Sequence, residues 1–324
     1  MFEGKTIGVV VPAHNEEKLI GRVIDTMPDF VDKIVVIDDK SSDETAQIVA
    51  QYAEVGDRVE LIQHQKNQGV GGAIVTGYKR AMELDLDVAV VMAGDAQMDP
   101  DDLPHILDAV VHGRADYVKG NRLFSGESWK LIPKTRYIGN SVLSLLTKIA
   151  SGYYHVADSQ TGYTAVSVPM LKRLNLDSVY PRYGVPNDLL IRLNVANSRV
   201  GEVPIHPVYN IGEASGIKLG KVIPTISWLL FKLFFWRLLQ KYIIRDFHPL
   251  VFFYLAGFIL FPLGFLLGIA ILIINTSGPP ALPVGWIILC ALLIISGSQS
   301  FFFAMWFDMD YNRNLCVFDD REAN

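Results

Sequence analysis

The first 120 residues alternate short apolar runs, rich in β-branched residues, with segments of helical periodicity. An apolar run followed by a helical segment predicts a buried strand, and its repetition predicts a mostly parallel sheet with helices on both faces. The predicted strands are residues 6–12, 33–38, 59–63, 88–92 and 115–119. The predicted helices are residues 16–25, 43–53, 70–83 and 101–112. The pattern therefore predicts an α/β fold.

The chain from residue 121 to residue 215 is less regular. Its patterning predicts helices at 137–151 and 187–197 and strands at 164–168 and 200–204. With the preceding segment, this stretch forms one predicted domain, residues 1–217.

The C-terminal part is apolar, with no Asp, Glu, Lys or Arg from Pro249 to Phe307. A helix needs about 20 mostly apolar residues to span a bilayer. Residues 249–274 and 284–307 each suffice, and the Gly- and Pro-containing residues 275–283 lie between them. We predict a transmembrane hairpin over 248–307 and a tail over 308–324. The alternative of two buried helices in a soluble core is disfavoured, because such helices usually keep a polar face.

Residues 218–247 mix apolar and aromatic residues with basic ones. The basic residues are Lys218, Lys221, Lys232, Arg237, Lys241 and Arg245. This composition predicts an amphipathic juxtamembrane helix in the membrane interface, with its basic residues facing lipid. A core helix with snorkelling lysines is the alternative. By the positive-inside rule, the N-terminal domain and the tail are both expected in the cytoplasm, and residues 6–12 are too short for a cleavable signal core.

Composition averages these two unlike parts. The chain is 50% hydrophobic and 19% charged, with a mean hydropathy of +0.27. Two cysteines exclude a disulfide scaffold, and the modest charge excludes a disordered chain. A net charge of −5 gives no support for nucleic-acid binding.

Polar clusters follow three of the predicted strands, where α/β sheets bind ligands. They are Pro12-Ala-His-Asn-Glu-Glu17, Asp38-Asp-Lys-Ser-Ser-Asp43 and Ala93-Gly-Asp-Ala-Gln97. The P-loop motif is absent, and Ile74 stands where G-x-G-x-x-G needs its third glycine. Asp95 and Gln97 suit a hard divalent cation that would hold a diphosphate, and Asp38 and Asp39 are placed to accept hydrogen bonds from a ribose or base.

These clusters, with Asn67-Gln-Gly-Val-Gly-Gly-Ala73 and Gly94-Asp-Ala-Gln-Met-Asp-Pro100, resemble the motifs of family 2 inverting glycosyltransferases with a GT-A fold. The amphipathic segment and the hairpin narrow the resemblance to the polyprenyl-phosphate glycosyltransferases, the group of dolichyl-phosphate mannose synthase. It covers nearly the whole chain. The fold it implies is the GT-A sheet, followed by the interface helix and the hairpin.

The resemblance implies a role for each matching residue. Asp95 and Gln97 match the metal ligands of the family, which uses Mg²⁺ or Mn²⁺, although Ala93 replaces the first acid of that pattern. Ser215 and Lys218 match the segment that holds the acceptor phosphate. The expected catalytic residues are Asp95, Arg122, Asp158 and Lys218. The expected residues for the nucleotide sugar are Pro12, Asn15, Glu16, Asp39, Gly69, Asp95 and Arg122.

The implied reaction transfers a hexose, mannose or glucose, from a nucleotide-diphosphate sugar to a polyprenyl or dolichyl phosphate, with inversion, at the cytoplasmic membrane face. A phosphate monoester has a second pKa near 6 and is ionised at pH 7, so no strong base is needed. The site must instead neutralise two anions. The implied partners are the donor, the lipid acceptor and the bilayer. Members of the family often assemble as oligomers, so a homo-oligomer is also implied.

Two alternatives stay open. A non-catalytic, membrane-anchored nucleotide-binding or interaction module would explain Ala93. A processive polysaccharide synthase would share the sheet, but it needs more spans and a Q-x-x-R-W motif, whereas this chain has Trp236-Arg237 in the reverse order.

Overall fold

The computed structural model describes residues 1–123, 134–206, 208, 219–276 and 283–318. The chain divides into two compact units. The first comprises Met1–Phe234 and Asn314–Asn324, and the second comprises Phe235–Arg313. Each unit is described by itself.

The first unit is built on a sheet that has eight strands within the described residues, in the order β3-β2-β1-β4-β6-β5-β7-β8. Only β6 runs antiparallel to its neighbours, β4 and β5. The predicted, mostly parallel sheet is therefore confirmed. The strands are β1 (Ile7–Ala13), β2 (Lys33–Asp38), β3 (Val59–Gln63), β4 (Val88–Val91), β5 (Tyr117–Asn121), β6 (Thr164–Ser167), β7 (Val200–Pro204) and β8 (Cys316–Val317).

Helices cover both faces of the sheet. Alternate strand residues point to opposite faces, so Val9 and Val36 lie in one core cluster and Val10 and Val35 in the other. Both faces are buried, which explains why the strands are continuously apolar. The helices beginning in this unit are α1 (Ile20–Asp25), α2 (Thr45–Val55), α3 (Val70–Glu83), α4 (Leu103–Val111), α5 (Lys134–Ser151), α6 (Val168–Leu171), α7 (Val185–Val195) and α8 (Leu219–Leu239).

The tail contributes a strand that the sequence pattern did not predict. β8 pairs in parallel with β7, with Val200 opposite Cys316 and Gly201 opposite Val317. The chain leaves the first unit after Phe234 and rejoins the same sheet after Arg313. Along the chain, the long apolar helices thus come between β7 and β8, although these two strands are neighbours in the sheet.

The second unit contains the end of α8, a π-helical segment (Gln240–Arg245), α9 (Leu250–Thr276) and α10 (Val284–Tyr311). α9 and α10 pack closely, since a Cβ on Gly297 would lie 2.5 Å from the Phe261 nitrogen. Among the described residues, three helices are long and apolar enough to cross a membrane: Val222–Arg245, Leu250–Thr276 and Val284–Tyr311. The two predicted spans are therefore helices, and α8 with the π-helical segment also qualifies by length and composition.

One expectation about the basic residues is wrong, because Arg237 and Lys241 do not face lipid. Their exposed fractions are 0% and 2%. The Arg237 guanidinium donates to both carboxylate oxygens of Asp308, at 2.9 and 2.7 Å, and Lys241 Nζ donates to Asn312 Oδ1 at 2.7 Å. Tyr242 Oη donates to Asp308 Oδ1 at 2.5 Å. These five buried residues form one hydrogen-bonded cluster inside the second unit. A buried charge needs a partner, so Arg237 lies inside this unit, where it pairs with Asp308, 71 residues further along the chain.

Candidate active site

The strand directions bring the predicted site residues to one edge of the sheet. β1, β2, β3, β4 and β5 run the same way, so their carboxyl ends share an edge, and the antiparallel β6 begins there. Ser215 and Lys218 lie outside the described residues. The other predicted residues all lie in or beside loops at this edge: Pro12, Asn15, Glu16, Asp39, Gly69, Asp95, Gln97, Arg122 and Asp158.

Asn15 joins the loops that follow β1 and β2. Its backbone has a φ of +58°, and its side-chain oxygen accepts from the Ser42 nitrogen at 2.8 Å. The backbone nitrogen of Glu16, the residue after Asn15, donates to Thr45 Oγ1 at 2.8 Å. The two loops are therefore tied together at the place where the resemblance implies the nucleotide.

Asp39 is buried, and its carboxylate is used by the protein's own loops. It accepts from the backbone nitrogens of Gln68 and Gly69 at 2.8 and 2.7 Å. It also contacts His64 Nδ1 at 2.8 Å, and His64 Nε2 lies 2.9 Å from Thr76 Oγ1. The role of Asp39 in reading the nucleoside stays a prediction. The structure adds a second role, which is to fix the chain that leads into α3.

The glycines before and inside α3 allow another main-chain segment to approach. The nitrogens of Gly71 and Gly72 donate to the Pro181 carbonyl oxygen at 2.9 and 3.2 Å. A Cβ on Gly71 would lie 2.3 Å from the Tyr180 carbonyl oxygen, and one on Gly69, whose φ is +85°, would lie 2.5 Å from the Pro181 oxygen. The start of α3 is thus capped by protein backbone, and Gly69 serves this close approach.

We expect Gly71→Ala to destabilise the first unit by about 1–3 kcal/mol, because the new methyl group meets fixed backbone. Urea or thermal unfolding would measure the loss. Gly56→Ala is the control, since no atom lies within 4 Å of a Cβ at that position. Equal stability of the two variants would contradict the packing role of Gly71.

The residues around Asp95 supply oxygen ligands. Asp95 Oδ1 accepts from the Gln97 nitrogen at 3.1 Å, which closes a tight turn over Ala96. Burial, followed by the negative charges of Asp95 and Asp43, raises the pKa of Glu16 to about 7. A cation shared by these carboxylates would offset that repulsion. No group of three His, Cys, Asp or Glu side chains suited to a metal occurs in the described part of the chain. Carboxylate and amide oxygens, such as those of Asp95 and Gln97, are ligands that Mg²⁺ and Mn²⁺ bind, so these residues fit such an ion together with phosphate oxygens. Their role as its ligands stays a prediction.

Arg122 and Asp158 form a bidentate ion pair. Arg122 Nε and Nη2 donate to the two oxygens of Asp158 at 2.8 and 3.1 Å. Asp158 is fully buried, whereas a fifth of the Arg122 side chain is exposed. Burial alone would raise the pKa of Asp158, but the charge and hydrogen bonds of Arg122, helped by Lys119, hold it below its usual value. Asp158 therefore stays ionised, and both of its carboxylate oxygens hold the Arg122 guanidinium.

Sequence reasoning missed two charged residues beside this pair. Lys119 on β5 is fully buried and donates to the Thr161 oxygen at 2.7 Å; burial lowers its pKa to about 8, although Asp158 and Glu202 oppose this. Glu202 on β7 pairs in register with Lys119. The available signal was a single charged residue inside each of two short apolar strands.

Helix α5 connects the Asp158 loop to an apolar surface. Its inward side chains include Ser144, whose Oγ lies 3.1 Å from Ser159 Oγ. The side chains exposed by more than a third, among residues 139–151, are all apolar: Val142 at 48%, Leu145 at 58% and Leu146 at 36%. A helix that faces water normally shows the opposite arrangement. We call these three residues the α5 stripe.

The end of β7 is pinned to the start of α4. His206 donates from its backbone nitrogen to Asp102 at 2.7 Å, and its Nδ1 lies 2.8 Å from the same carboxylate. Hydrogen bonding to Asp102, followed by its negative charge, raises the pKa of His206 above 6.5. The contribution of the His206–Asp102 pair to stability is therefore complete below pH 6.5 and is lost as pH rises through the folded-state pKa of His206.

We expect NMR titration of His206 to give a raised midpoint that Asp102→Asn restores to about 6.5. A midpoint that Asp102→Asn leaves unchanged would contradict this pairing.

Comparison with known proteins agrees with this geometry. The chain is 33% identical over 253 residues to UDP-N-acetylglucosamine–dolichyl-phosphate N-acetylglucosaminyltransferase of Methanococcus voltae, covering 73% of this chain and 96% of that protein. It is 30% identical over 226 residues to undecaprenyl-phosphate mannosyltransferase of Micrococcus luteus, covering 67% and 91%.

Among solved structures, glucosyl-3-phosphoglycerate synthase of Mycobacterium tuberculosis, crystallised with Mn²⁺, uridine diphosphate and glucosyl-3-phosphoglycerate, matches with a TM-score of 0.53. The match covers 72% of this chain and 80% of that one at 21% identity, which identifies the GT-A fold. The model of the family described as glycosyl transferase family 2 matches residues 8–174, the part that carries the loops after β1, β2 and β4. The sheet, its polar edge and these relatives together place the chain in glycosyl transferase family 2.

Proposed function

We propose that this glycosyltransferase moves a sugar from a nucleotide-diphosphate sugar to a polyprenyl or dolichyl phosphate, with inversion, at the cytoplasmic membrane face. The printed names of the M. voltae and M. luteus relatives support a lipid phosphate acceptor. A water-soluble donor and a membrane-bound acceptor meet only at the interface. The site must therefore adjoin both water and lipid.

The α5 stripe is the observation that carries this proposal. Exposed Val142, Leu145 and Leu146 would be unfavourable in water, but they suit a bilayer surface. On the inward side of the same helix, Ser144 contacts Ser159, the neighbour of Asp158. Lipid that contacts α5 would lie one helix away from the Asp158–Arg122 pair. An acceptor phosphate at headgroup level is then within the reach of that loop.

The roles at the reacting centre follow from charge. Asp95 and Gln97 would hold Mg²⁺ or Mn²⁺, which would stabilise the charge of the departing nucleotide diphosphate. Arg122 would neutralise a phosphate at the same edge, since its guanidinium fork is already fixed by Asp158. Asp158 is engaged in that pair, and the ionised acceptor needs no base. Ser215 and Lys218 remain the proposed contacts to the acceptor phosphate.

The return of the chain at β8 supports a topology in which two helices cross the membrane. β7 and β8 lie in one sheet, so the segments before α8 and after α10 are on the same side of the membrane. A chain that starts and ends on one side crosses an even number of times. We propose that α9 and α10 cross and that α8 lies in the interface. Within the first unit, Ile226 and Leu230 of α8 are buried while Trp228 and Phe231 are exposed, as an interface helix requires.

A donor screen on membranes tests the function. Membranes that contain the chain receive labelled GDP-mannose, UDP-glucose or UDP-N-acetylglucosamine with a polyprenyl phosphate, and lipid-extractable sugar is measured with Mn²⁺, Mg²⁺ or EDTA. We expect one donor to be used and EDTA to abolish transfer. Asp95→Ala should also abolish it, whereas Asp101→Ala, an exposed acid of the same segment, should not. No transfer from any donor would favour the non-catalytic module, and transfer unaffected by EDTA would contradict the metal site.

A further inference from the structure

We propose that Glu202 is a positioning residue of the transfer reaction, which fixes the Asp158–Arg122 pair from the sheet side and so sets the direction of the Arg122 guanidinium. The inference rests on the proposed function, since it concerns how that site holds the donor phosphates. It assigns a purpose to a buried acid that the mechanism above does not use.

The contacts of Glu202 are directed at the two segments that carry the pair. Its Oε1 accepts from the backbone nitrogens of Ala157 and Asp158 at 3.0 and 2.8 Å. Its Oε2 accepts from the Ala157 nitrogen at 2.9 Å and from Asn121 Nδ2 at 3.0 Å. One carboxylate thus holds the main chain of Asp158 and the side chain that directly precedes Arg122. It touches neither member of the ion pair through a side chain.

The charges around Glu202 are balanced. Two acids, Asp158 and Glu202, lie with two cations, Lys119 and Arg122, close enough to affect one another electrostatically. Three of the four charged groups are largely or fully buried, and Arg122 is the member with an exposed part facing the sheet edge. Removing the charge of Glu202 would leave Lys119 and Arg122 in competition for Asp158 and so shift the Arg122 guanidinium. A displacement of about 1 Å at a reacting centre costs on the order of 100-fold in rate.

The other hydrogen bonds of Asp158 differ from those of Glu202, because they hold the Asp158 carboxylate and not the main chain of its loop. The Gln160 nitrogen donates to Asp158 Oδ1 at 3.2 Å, and Arg122 holds both oxygens. These bonds fix the carboxylate relative to its own loop and to Arg122. The Glu202 bonds tie Ala157, Asp158 and the Asn121 side chain to β7. They add to the contact of His155 Nε2 with the Val200 oxygen at 2.8 Å and to the backbone pairing of Asn121 with Pro204. Without them the ion pair stays intact, but Asp158 loses the side-chain contact on β7 that lies next to it.

The test is a double-mutant cycle with Glu202→Gln, Arg122→Lys and the combination of both. Glu202→Gln keeps the size of the side chain but replaces an acceptor with a donor, and Arg122→Lys keeps the charge but loses the fork. We expect each single variant to lower kcat/KM by about 100-fold. The kcat/KM of the double variant should be within a few-fold of that of either single variant, since both changes remove the fixed direction of the same charged group, the Arg122 guanidinium. Glu60→Gln is the control, as Glu60 on β3 pairs with Arg80 away from the site.

A purely structural role gives different results. In that case the losses of the two single variants multiply, or Glu202→Gln loses stability while its kcat and KM match those of the parent; either result overturns the inference. Glu202→Asp is the second variant, because it keeps the charge that balances Lys119 but withdraws the carboxylate from the Asp158 nitrogen. It should keep the thermal midpoint nearer to that of the parent and still lose activity, and parental activity would overturn the inference.

Donor binding separates this inference from the proposed function. Isothermal titration calorimetry can measure the same double-mutant cycle as nucleotide affinity, without an acceptor. The ligand is UDP or GDP, whichever the parent binds more tightly, in the presence of Mn²⁺. If the parent transfers no sugar to a polyprenyl phosphate, the proposed function fails, and the binding cycle still decides the role of Glu202. Coupled losses in nucleotide affinity support the inference, and independent losses overturn it.

Discussion

Asp158→Asn is expected to transfer sugar about 100- to 1,000-fold more slowly than the parent, which corresponds to roughly 3–4 kcal/mol of lost transition-state stabilisation. The neutral amide cannot accept from both Arg122 Nε and Nη2, and its amino group repels one of them. The guanidinium then leaves its fixed direction. Lys119 also loses one of its two neighbouring acids. Steady-state transfer at saturating acceptor, with donor varied, measures the effect.

The matched control for Asp158→Asn is Asp116→Asn. Asp116 pairs with Arg199 in the same bidentate manner, at 3.0 and 3.3 Å, but at the opposite ends of β5 and β7. It should lower stability without changing kcat or KM for the donor. If Asp158→Asn kept parental activity, Arg122 would not depend on that carboxylate for its direction.

Asp308→Asn should destabilise the second unit by about 3–5 kcal/mol, the usual cost of removing one partner from a buried ion pair. Arg237 would lose the carboxylate that takes two of its hydrogen bonds, and Tyr242 and Asn312 would lose a shared acceptor. Lys241 would remain buried beside an unbalanced Arg237. Thermal unfolding in detergent, followed by size-exclusion chromatography of the heated sample, measures the loss.

The paired replacement Arg237→Met with Asp308→Leu distinguishes a charge effect from a packing effect. Removing both charges relieves the penalty that either single change leaves, so the double variant should recover much of the stability lost in Asp308→Asn. Ser300→Ala on the same helix is the control, because its hydroxyl bonds only to the Ser296 carbonyl of its own helix among the contacts described. Wild-type stability of Asp308→Asn would mean that the ion pair does not hold the second unit together.

The sheet, and the edge of it that gathers the candidate site residues, could be predicted from the sequence. Continuous apolar runs such as those of β1 and β2 have one stable solution, burial on both faces, and parallel strands bring their carboxyl ends together. For this reason the sequence predicts one site for Asn15, Asp95 and Arg122, although they are far apart in the chain. The helices α9 and α10 could also be predicted, because a charge-free stretch long enough to span a bilayer has few structures other than a helix open to it.

Contacts between distant polar residues could not be predicted, because periodicity contains no information on partners. Glu202 looked like an ordinary strand residue, and its three donors come from segments 44 to 81 residues away. Arg237 looked lipid-facing because its partner Asp308 lies 71 residues later. α5 misleads in another way. Its apolar residues predict a helix, but the rule that apolar faces point inward does not predict that Val142, Leu145 and Leu146 are exposed.

The position of β8 also dictates an order of assembly. The ribosome finishes β7 before it makes α9 and α10, and it makes β8 only after both. Until then β7 is an open edge of the catalytic sheet, with unpaired backbone groups that other chains could bind. The sheet is completed only when the hairpin has been synthesised and the tail has come back to β7. The last step in forming the first unit therefore depends on the synthesis of the apolar helices that precede β8.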